Sequence, residues 1–310
     1  GHPGMPLGMA DVATVLFTEA LTYDAADPAW PNRDRFVLSC GHAAALLYSV
    51  LHLAGVRQFQ DGAPTGELAV PLSHLQKFRQ VHFRCPGHPE QFETSGVETT
   101  TGPLGQGCGN SVGMAIASRW LAAHFNRPGF ELFNFNVYVL CSDGDLMEGV
   151  ANEAASLAGH LRLANLCWIY DDNRITIEGH TDLSFSEDVG RRFEGLGWHV
   201  VRVADVTDLP ALRAAYQRFA DTNDRPTLII VRTVIAPGAP NKQDTHGAHG
   251  APLGEEEIKL AKKAYGWPED AKFLVPDEAL QSFRSQVSER GSQLYSQWQE
   301  LFAGYRKQFP

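Results

Sequence analysis

The run Val137-Tyr138-Val139-Leu140-Cys141-Ser142-Asp143-Gly144-Asp145, with its counterpart Leu166-Cys167-Trp168-Ile169-Tyr170-Asp171-Asp172-Asn173, decides the architecture. Each begins with a short apolar run and ends at once in a polar turn, and a helical pattern from Glu148 to Leu161 lies between them. Short apolar runs bounded by turn residues read as buried strands, and two of them joined by a helix read as a right-handed crossover in a parallel sheet. The alternation continues through a helix at Val189 to Leu196, a strand at His199 to Val203, a helix at Leu209 to Ala220 and a strand at Thr227 to Val231. The expected fold is α/β: a doubly wound, mostly parallel sheet flanked by helices.

Upstream, Met9, Val12, Ala13, Leu16, Phe17 and Ala20 mark one buried helical stripe, Arg35 to Ser39 is β-prone, and Ala43 to Leu53 reads as a helix closed by Gly55. Gln58 to Pro71, rich in Gly, Pro and Gln, reads as a surface loop. A helix from about Gly107 to Phe125 carries Gly109, Gly113, Ala115 and Ala117, which leave room for close packing; Ala236 to Gly254 is loop-like, and Glu278 to Phe302 is an amphipathic helix.

The 310 residues fit either two domains or one large open α/β domain. Thirty-six acids against twenty-six bases give a net charge of -10, and no basic run exceeds Lys262-Lys263. That balance offers no electrostatic footprint for nucleic acid or anionic lipid, so the expected partner is a small molecule. No apolar run approaches the ~20 residues a bilayer span needs, and the start lacks a basic-then-apolar targeting segment. Five widely spaced cysteines without a C-x-x-C pair fit a reducing, cytoplasmic setting.

Ligands of open parallel sheets bind beyond the carboxyl ends of the strands, which directs attention to Asp143 and Asn173. They lie thirty residues apart, one strand-helix-strand unit, so they are expected to converge between neighbouring strand ends. A carboxylate and an amide carbonyl without nearby Cys or His form a hard-oxygen pair suited to Mg²⁺ or Ca²⁺. Gly144 would let a diphosphate approach the backbone, and the amides opening the helix near Glu148 would favour its charge. Taken singly, these remain ordinary turn sequences. Glu98 to Gly107 supplies glycines at 102, 105 and 107, as a loop cradling a ring or phosphate requires, although a close helix crossing would use them equally well. Of twelve histidines, His2, His42, His88 and His249 sit beside glycine in loop-like settings, suited to a polyhydroxylated substrate and proton transfer if they converge. His52, His74, His82, His124, His160, His180 and His199 flank or lie inside expected elements and read as structural.

These residues resemble the N-terminal, diphosphate-binding half of transketolases, thiamine diphosphate enzymes of pentose phosphate metabolism. The resemblance covers essentially the whole chain and runs through Gly1 to Ala10, Asn32 to Ser39, Pro86 to Glu90, Thr101 to Gly107, Ser156 to Leu161, Tyr170 to Asn173 and His249 to Leu253. It implies one thiamine diphosphate-binding domain over residues 1–310, with the C-terminal helix leading to an interdomain linker. It implies Mg²⁺, or Ca²⁺ in its place, held by Asp143, Asn173 and the Ile175 carbonyl, with His42, Gly144 and His249 on the cofactor and Gly102-Pro103-Leu104 lining its rings. His2, His88 and His249 match the family's donor-sugar histidines, with His2 and His249 assisting proton transfer. Glu148 and Glu153 match an acidic pair near the subunit interface of a dimer. Ser142 stands where the family has the first Gly of Gly-Asp-Gly.

The activity implied is transfer of a two-carbon ketol unit from a ketose phosphate to an aldose phosphate, the cofactor supplying the carbanion and electron sink. The family's pyrimidine-binding and third domains are absent from this sequence, so the expectation is that the chain acts as a homodimer or with a complementary pyrimidine-domain subunit and is inactive alone. Other readings are dihydroxyacetone synthase, 1-deoxyxylulose-phosphate synthase, or a non-catalytic diphosphate-binding module or scaffold.

Overall fold

Five strands pair in register into one parallel sheet, in the computed structural model that describes residues 2–310; Gly1 of the Gly1-His2-Pro3-Gly4 motif lies outside the described residues. In chain order the strands are β1 (Arg35–Leu38), β2 (Arg57–Gln60), β3 (Ala63–Leu68), β4 (Val137–Ser142), β5 (Leu166–Asp172), β6 (His199–Val203) and β7 (Thr227–Arg232). The main sheet runs β1-β4-β5-β7-β6, every pair parallel. This is the doubly wound α/β architecture expected from the alternation.

Strand periodicity divides the core in two. Val137, Val139 and Cys141 join Leu166, Trp168, Tyr170, Leu228 and Ile230 on one face, which is closed by the helices Gln106–Phe125, Gly149–His160 and Val189–Gly195. Tyr138 and Leu140 join Cys167, Ile169, Ile229 and Val231 on the other, under Ala10–Val15, Ala44–Ala54, Leu209–Asp221 and Asp277–Arg284. Because both faces are covered, the central strands β4, β5 and β7 are apolar along most of their length, whereas the edge strand β6 carries the exposed Arg202. Local chemistry sets the helix ends: the Asp208 carboxylate accepts the Ala211 N–H at 3.0 Å to start Leu209–Asp221, and Gly55, at φ 74°, ends Ala44–Ala54. All five cysteines are buried free thiols. Among the described residues no helix is long and apolar enough to cross a membrane.

Several elements depart from the expectation. Gln58 to Pro71 is not a plain loop: β2 and β3 form an antiparallel hairpin whose two linking residues, Asp61 and Gly62, both have positive φ (52° and 83°). An Asp-Gly pair at the tip of a two-residue turn is the favoured hairpin signal, and it was masked by the polar, aperiodic flanks. The N-terminal stripe is buried as expected but breaks at Met9 and ends in a π-helical turn, Leu16–Ala20. Only part of the small-residue helix packs closely: Ala115 is fully buried, whereas Gly113 faces open space and Ala117 is exposed. A separate short helix, Asp143–Met147, intervenes before Gly149–His160, and the C-terminal helical region contains a π-helical turn at Ser285–Glu289 before running on to Gln308.

Trp168 lies at the centre of one face, 4.9 Å from the Trp198 ring and 5.8 Å from the Phe193 ring, with its indole N–H donating to Ser111 Oγ at 3.0 Å. Trp168→Ala is expected to lower the unfolding free energy by about 3–5 kcal/mol, read from urea denaturation.

Candidate functional site

Parallel register aligns Ser142 with Asp171, so the turns after β4 and β5 leave the sheet side by side. Asp143 is 3% exposed, and its Oδ1 accepts the Tyr170 hydroxyl. Its Oδ2 is buried with no hydrogen-bond partner among the described residues. Burial raises the Asp143 carboxyl to about 7, against the opposing Tyr170 hydrogen bond, with Asp171 and Asp172 nearby adding to the rise. Beside it, Asn173 donates from Nδ2 to Asp171 Oδ2 at 2.7 Å, and its Oδ1 accepts the Ile175 N–H at 2.8 Å. Asp171 is anchored in turn by the Thr233 hydroxyl from the end of β7, and burial raises its carboxyl to about 6. The amide of Asn173 is thereby oriented through an outer partner, the usual device for setting a metal-binding group. No cluster of three or more His, Cys, Asp or Glu that could hold a metal forms among the described residues. A divalent ion would therefore rest on one carboxylate with amide and backbone oxygens, a hard-oxygen set, and the orphaned Asp143 Oδ2 fits that requirement.

The glycine-bearing loop lies over this turn. Leu104 Cδ1 is 2.7 Å from where a Cβ on Gly144 would sit, so the glycine admits Leu104 here. At Gly107 a Cβ would meet Ser39 Cα at 2.6 Å, which explains why the helix can start against the end of β1. Gly102 faces His88, its Cβ position 3.7 Å from the ring. Since Gly102 and Leu104 are two residues apart, no more than about 7 Å of chain separates the His88 side of the loop from the Asp143 side. Glu148 and Glu153 are exposed, with Glu148 against Gly105 at the outer edge, and Pro103 is exposed as well.

Four of the loop histidines converge. The His2 and His42 ring centroids are 5.0 Å apart, His2 and His249 5.6 Å, and His42 and His249 5.2 Å. His88 completes the group from the Gly102 side, and all four rings are partly exposed. Tyr48 Oη steadies the His88 segment by donating to Pro86 O at 3.0 Å, with His88 O at 3.3 Å. The chain start reaches this point because the Ala236 N–H donates to Gly4 O at 3.0 Å and Ile235, Ala236 and Ala248 form a small core beneath the His249 loop. Burial, reinforced by His249, holds His2 down at about 4; burial, with His249 and His2 beside it, holds His42 at about 3, and burial also lowers His88 and His249. At neutral pH the cleft presents uncharged imidazoles, each able to donate and accept. By contrast His52 is tied to Val70 O, His74 to the Arg84 N–H and His199 to the Thr222 hydroxyl, as structural histidines are.

Reading the chain linearly misses the supports. Asp145 accepts four hydrogen bonds, of which the Ser142-x-x-Asp145 spacing of a capping box signals one, from the Ser142 N–H. The Asp171–Thr233 contact joins residues 62 apart and leaves no local trace.

Because folded His42 sits below the ordinary value of about 6.5, the unfolded chain takes up that proton first as pH falls; the His42 contribution is intact above about 6.5 and is lost towards pH 3. The His2 and His42 C2 protons should titrate near pH 4 and 3 by NMR, and His42→Gln should gain stability relative to the unaltered chain as pH drops through that window.

Residues 1–310 match the family model described as "Transketolase, thiamine diphosphate binding domain". The chain is 49% identical over 310 residues to the transketolase of Geobacillus stearothermophilus and 46% identical to transketolase 1 of Escherichia coli. Both matches cover 100% of this chain but only 45% and 44% of the relatives, so the chain spans less than half their length. Among solved structures, a transketolase from Leishmania mexicana superposes with a TM-score of 0.94 at 45% identity, covering 100% of this chain and 44% of that one. A Pichia stipitis transketolase in complex with sedoheptulose 7-phosphate gives 0.92 at 45% identity, with the same coverage. The parallel sheet with its polar strand ends is thus the transketolase arrangement, and the chain belongs to the transketolase family through its thiamine diphosphate binding domain.

Proposed function

We propose that residues 1–310 form one domain that supplies the diphosphate and metal half-site of a transketolase, transferring a two-carbon ketol unit from a ketose phosphate to an aldose phosphate. The observation that carries this reading is the convergence of four partly exposed imidazoles, three in mutual contact and His88 across Gly102, beside a turn that buries an unpartnered carboxylate oxygen. A Pichia stipitis relative solved with sedoheptulose 7-phosphate supports the ketose phosphate class.

Asp143, the Asn173 side chain and the Ile175 carbonyl would hold Mg²⁺. His42, Gly102, Pro103, Leu104, Gly144, Glu148 and His249 would contact the cofactor, the loop from its ring side and Gly144 from its diphosphate side. Bound thiamine diphosphate supplies the carbanion and the electron sink that carbon–carbon cleavage beside a ketose carbonyl requires. The protein's own part is positioning and proton movement. The neutral ring nitrogens of His2, His88 and His249 accept hydrogen bonds from donor hydroxyls and donate to their oxygens. His2 and His249, uncharged at neutral pH, would take up a hydroxyl proton as the bond breaks and return it.

The remaining ring contacts and the group that activates the aminopyrimidine would come from a pyrimidine-binding half, so the isolated chain is expected to be inactive. Homodimer formation is supported by the outer face of the helices Gln106–Phe125 and Gly149–His160. There Ile116, Trp120, Val150, Leu157 and Leu161 are 38%, 60%, 48%, 46% and 39% exposed, an apolar surface of the kind that marks an interface.

The test is turnover of xylulose 5-phosphate with ribose 5-phosphate by the chain joined to its pyrimidine-binding half, against formaldehyde as acceptor or pyruvate as donor. Activity confined to the latter pair would refute the assignment. In that protein Asp143→Ala should abolish Mg²⁺-dependent thiamine diphosphate binding in calorimetry, because it removes the only charged metal ligand. His2→Ala should leave binding intact and slow donor cleavage by roughly 10²- to 10⁴-fold in single-turnover kinetics.

A further inference from the structure

We infer that Asp145 is a positioning residue for the cofactor cleft, clamping the Gly102–Gly107 loop and the Ser142–Asp145 turn onto the end of β1. This rests on the cofactor reading above and deepens it.

The Asp145 side chain is 0% exposed and divides its two oxygens between different tasks. Oδ2 accepts the Ser142 N–H and the Ser142 hydroxyl, each at 2.9 Å; the first of these, with the Asp145 N–H donating back to the Ser142 side chain, makes the capping box of the short helix Asp143–Met147. Oδ1 leaves the helix altogether: it accepts the Ser39 hydroxyl at 2.6 Å and the Gly105 N–H at 2.7 Å, residues 106 and 40 positions away. Ser39 Oγ then accepts the Cys108 N–H at 3.1 Å, which extends the clamp into the first turn of the following helix. A cap for a five-residue helix needs only the Ser142 N–H on Oδ2 and the Asp145 N–H on the Ser142 side chain; the Oδ1 pair serves segments that make no part of that helix.

Those segments are the ones whose separation matters. Gly105 follows Leu104, which rests on Gly144, and Gly144 lies between Asp143 and Asp145. Holding the Gly105 N–H and the Ser142 N–H on one carboxylate therefore sets the distance between the loop that would line the ring and the turn that would hold the metal. The Ser142 side chain is drawn onto Asp145 by the same network. An amide cannot reproduce the arrangement, since one of its two ends carries N–H donors and would oppose either the Gly105 or the Ser142 N–H.

The test uses the protein joined to its pyrimidine-binding half, at a temperature where each variant is shown to be folded by near-ultraviolet circular dichroism. Calorimetric titration with thiamine diphosphate and Mg²⁺ should show affinity weakened about 10- to 100-fold in Asp145→Asn, the range seen when outer partners of a binding group are lost. Asp145→Ala should be weaker still, because the Gly105 contact goes as well. Ser39→Ala, a milder change that frees one oxygen lone pair, should fall between the unaltered protein and Asp145→Asn. Folded variants that bind within twofold of the unaltered protein would overturn the inference alone. Absence of binding by the unaltered protein would overturn the cofactor reading and the inference with it. Should the Asp145 variants fail to fold, hydrogen exchange on the unaltered protein without cofactor decides: the Gly105 and Ser142 amides should be protected like those of β4, and rapid exchange at both would overturn the clamp.

Discussion

A single buried carboxylate receives four hydrogen bonds at the point where three chain segments meet, and the shape of the upper end of the sheet follows from it. Asp145 has no Lys, Arg or His paired with it among the described residues, so the cost of its burial is offset by the four donors turned onto it. Two of those donors are backbone N–H groups, which cannot move without moving the loop that carries them. The turn after β4, the glycine-bearing loop and the end of β1 are thereby made one rigid unit. Without that common acceptor they would be three loops with independent freedom, and the Asp143 oxygen left unpartnered below them would have no defined mouth.

The histidine cleft is built on the opposite principle. Its rings are held by packing, with the small core around Ile235, Ala236 and Ala248 seating the His249 loop and the chain start against each other. Partial burial and mutual proximity lower the basicity of these rings, so the imidazoles are uncharged at neutral pH. One side of the site is therefore polar and held by hydrogen bonds, the side proposed above for a diphosphate and its ion. The other presents uncharged rings able to donate or accept, the side proposed for a polyol. The glycine-bearing loop separates the two, touching His88 with Gly102 and Gly144 with Leu104.

Much of this was legible before any coordinates. The five strands of the main sheet fall on apolar runs short enough to be strands, and the expected residue ranges differ from the observed ones by a residue or two, because burial on both faces leaves a continuous apolar signal. The polar residues that end β4 and β5 stood out for the same reason, as abrupt changes after such runs. The four histidines beside glycine were separable from His52, His74 and His199 because they lay outside periodic segments. The hairpin of β2 and β3 was not recognised, since its strands are half-exposed and polar and its one clear signal was the Asp61-Gly62 pair. Gly113 and Ala117 were expected to admit a close neighbour, yet composition does not say which side of a helix is covered, and these two face outward.

What the linear order of residues determined by itself was everything governed by short-range pattern: element type, the parallel sheet, and the residue kinds available at each strand end. What only the tertiary structure decided was which of those groups meet. Asp171 finds Thr233, Asp145 finds Ser39 and Gly105, and His2 finds His42 and His249 across separations that carry no local trace. The physical reason is that backbone periodicity is a property of neighbouring residues, whereas burial, protonation state and hydrogen-bond partners belong to the packed interior and exist only once the chain has closed on itself.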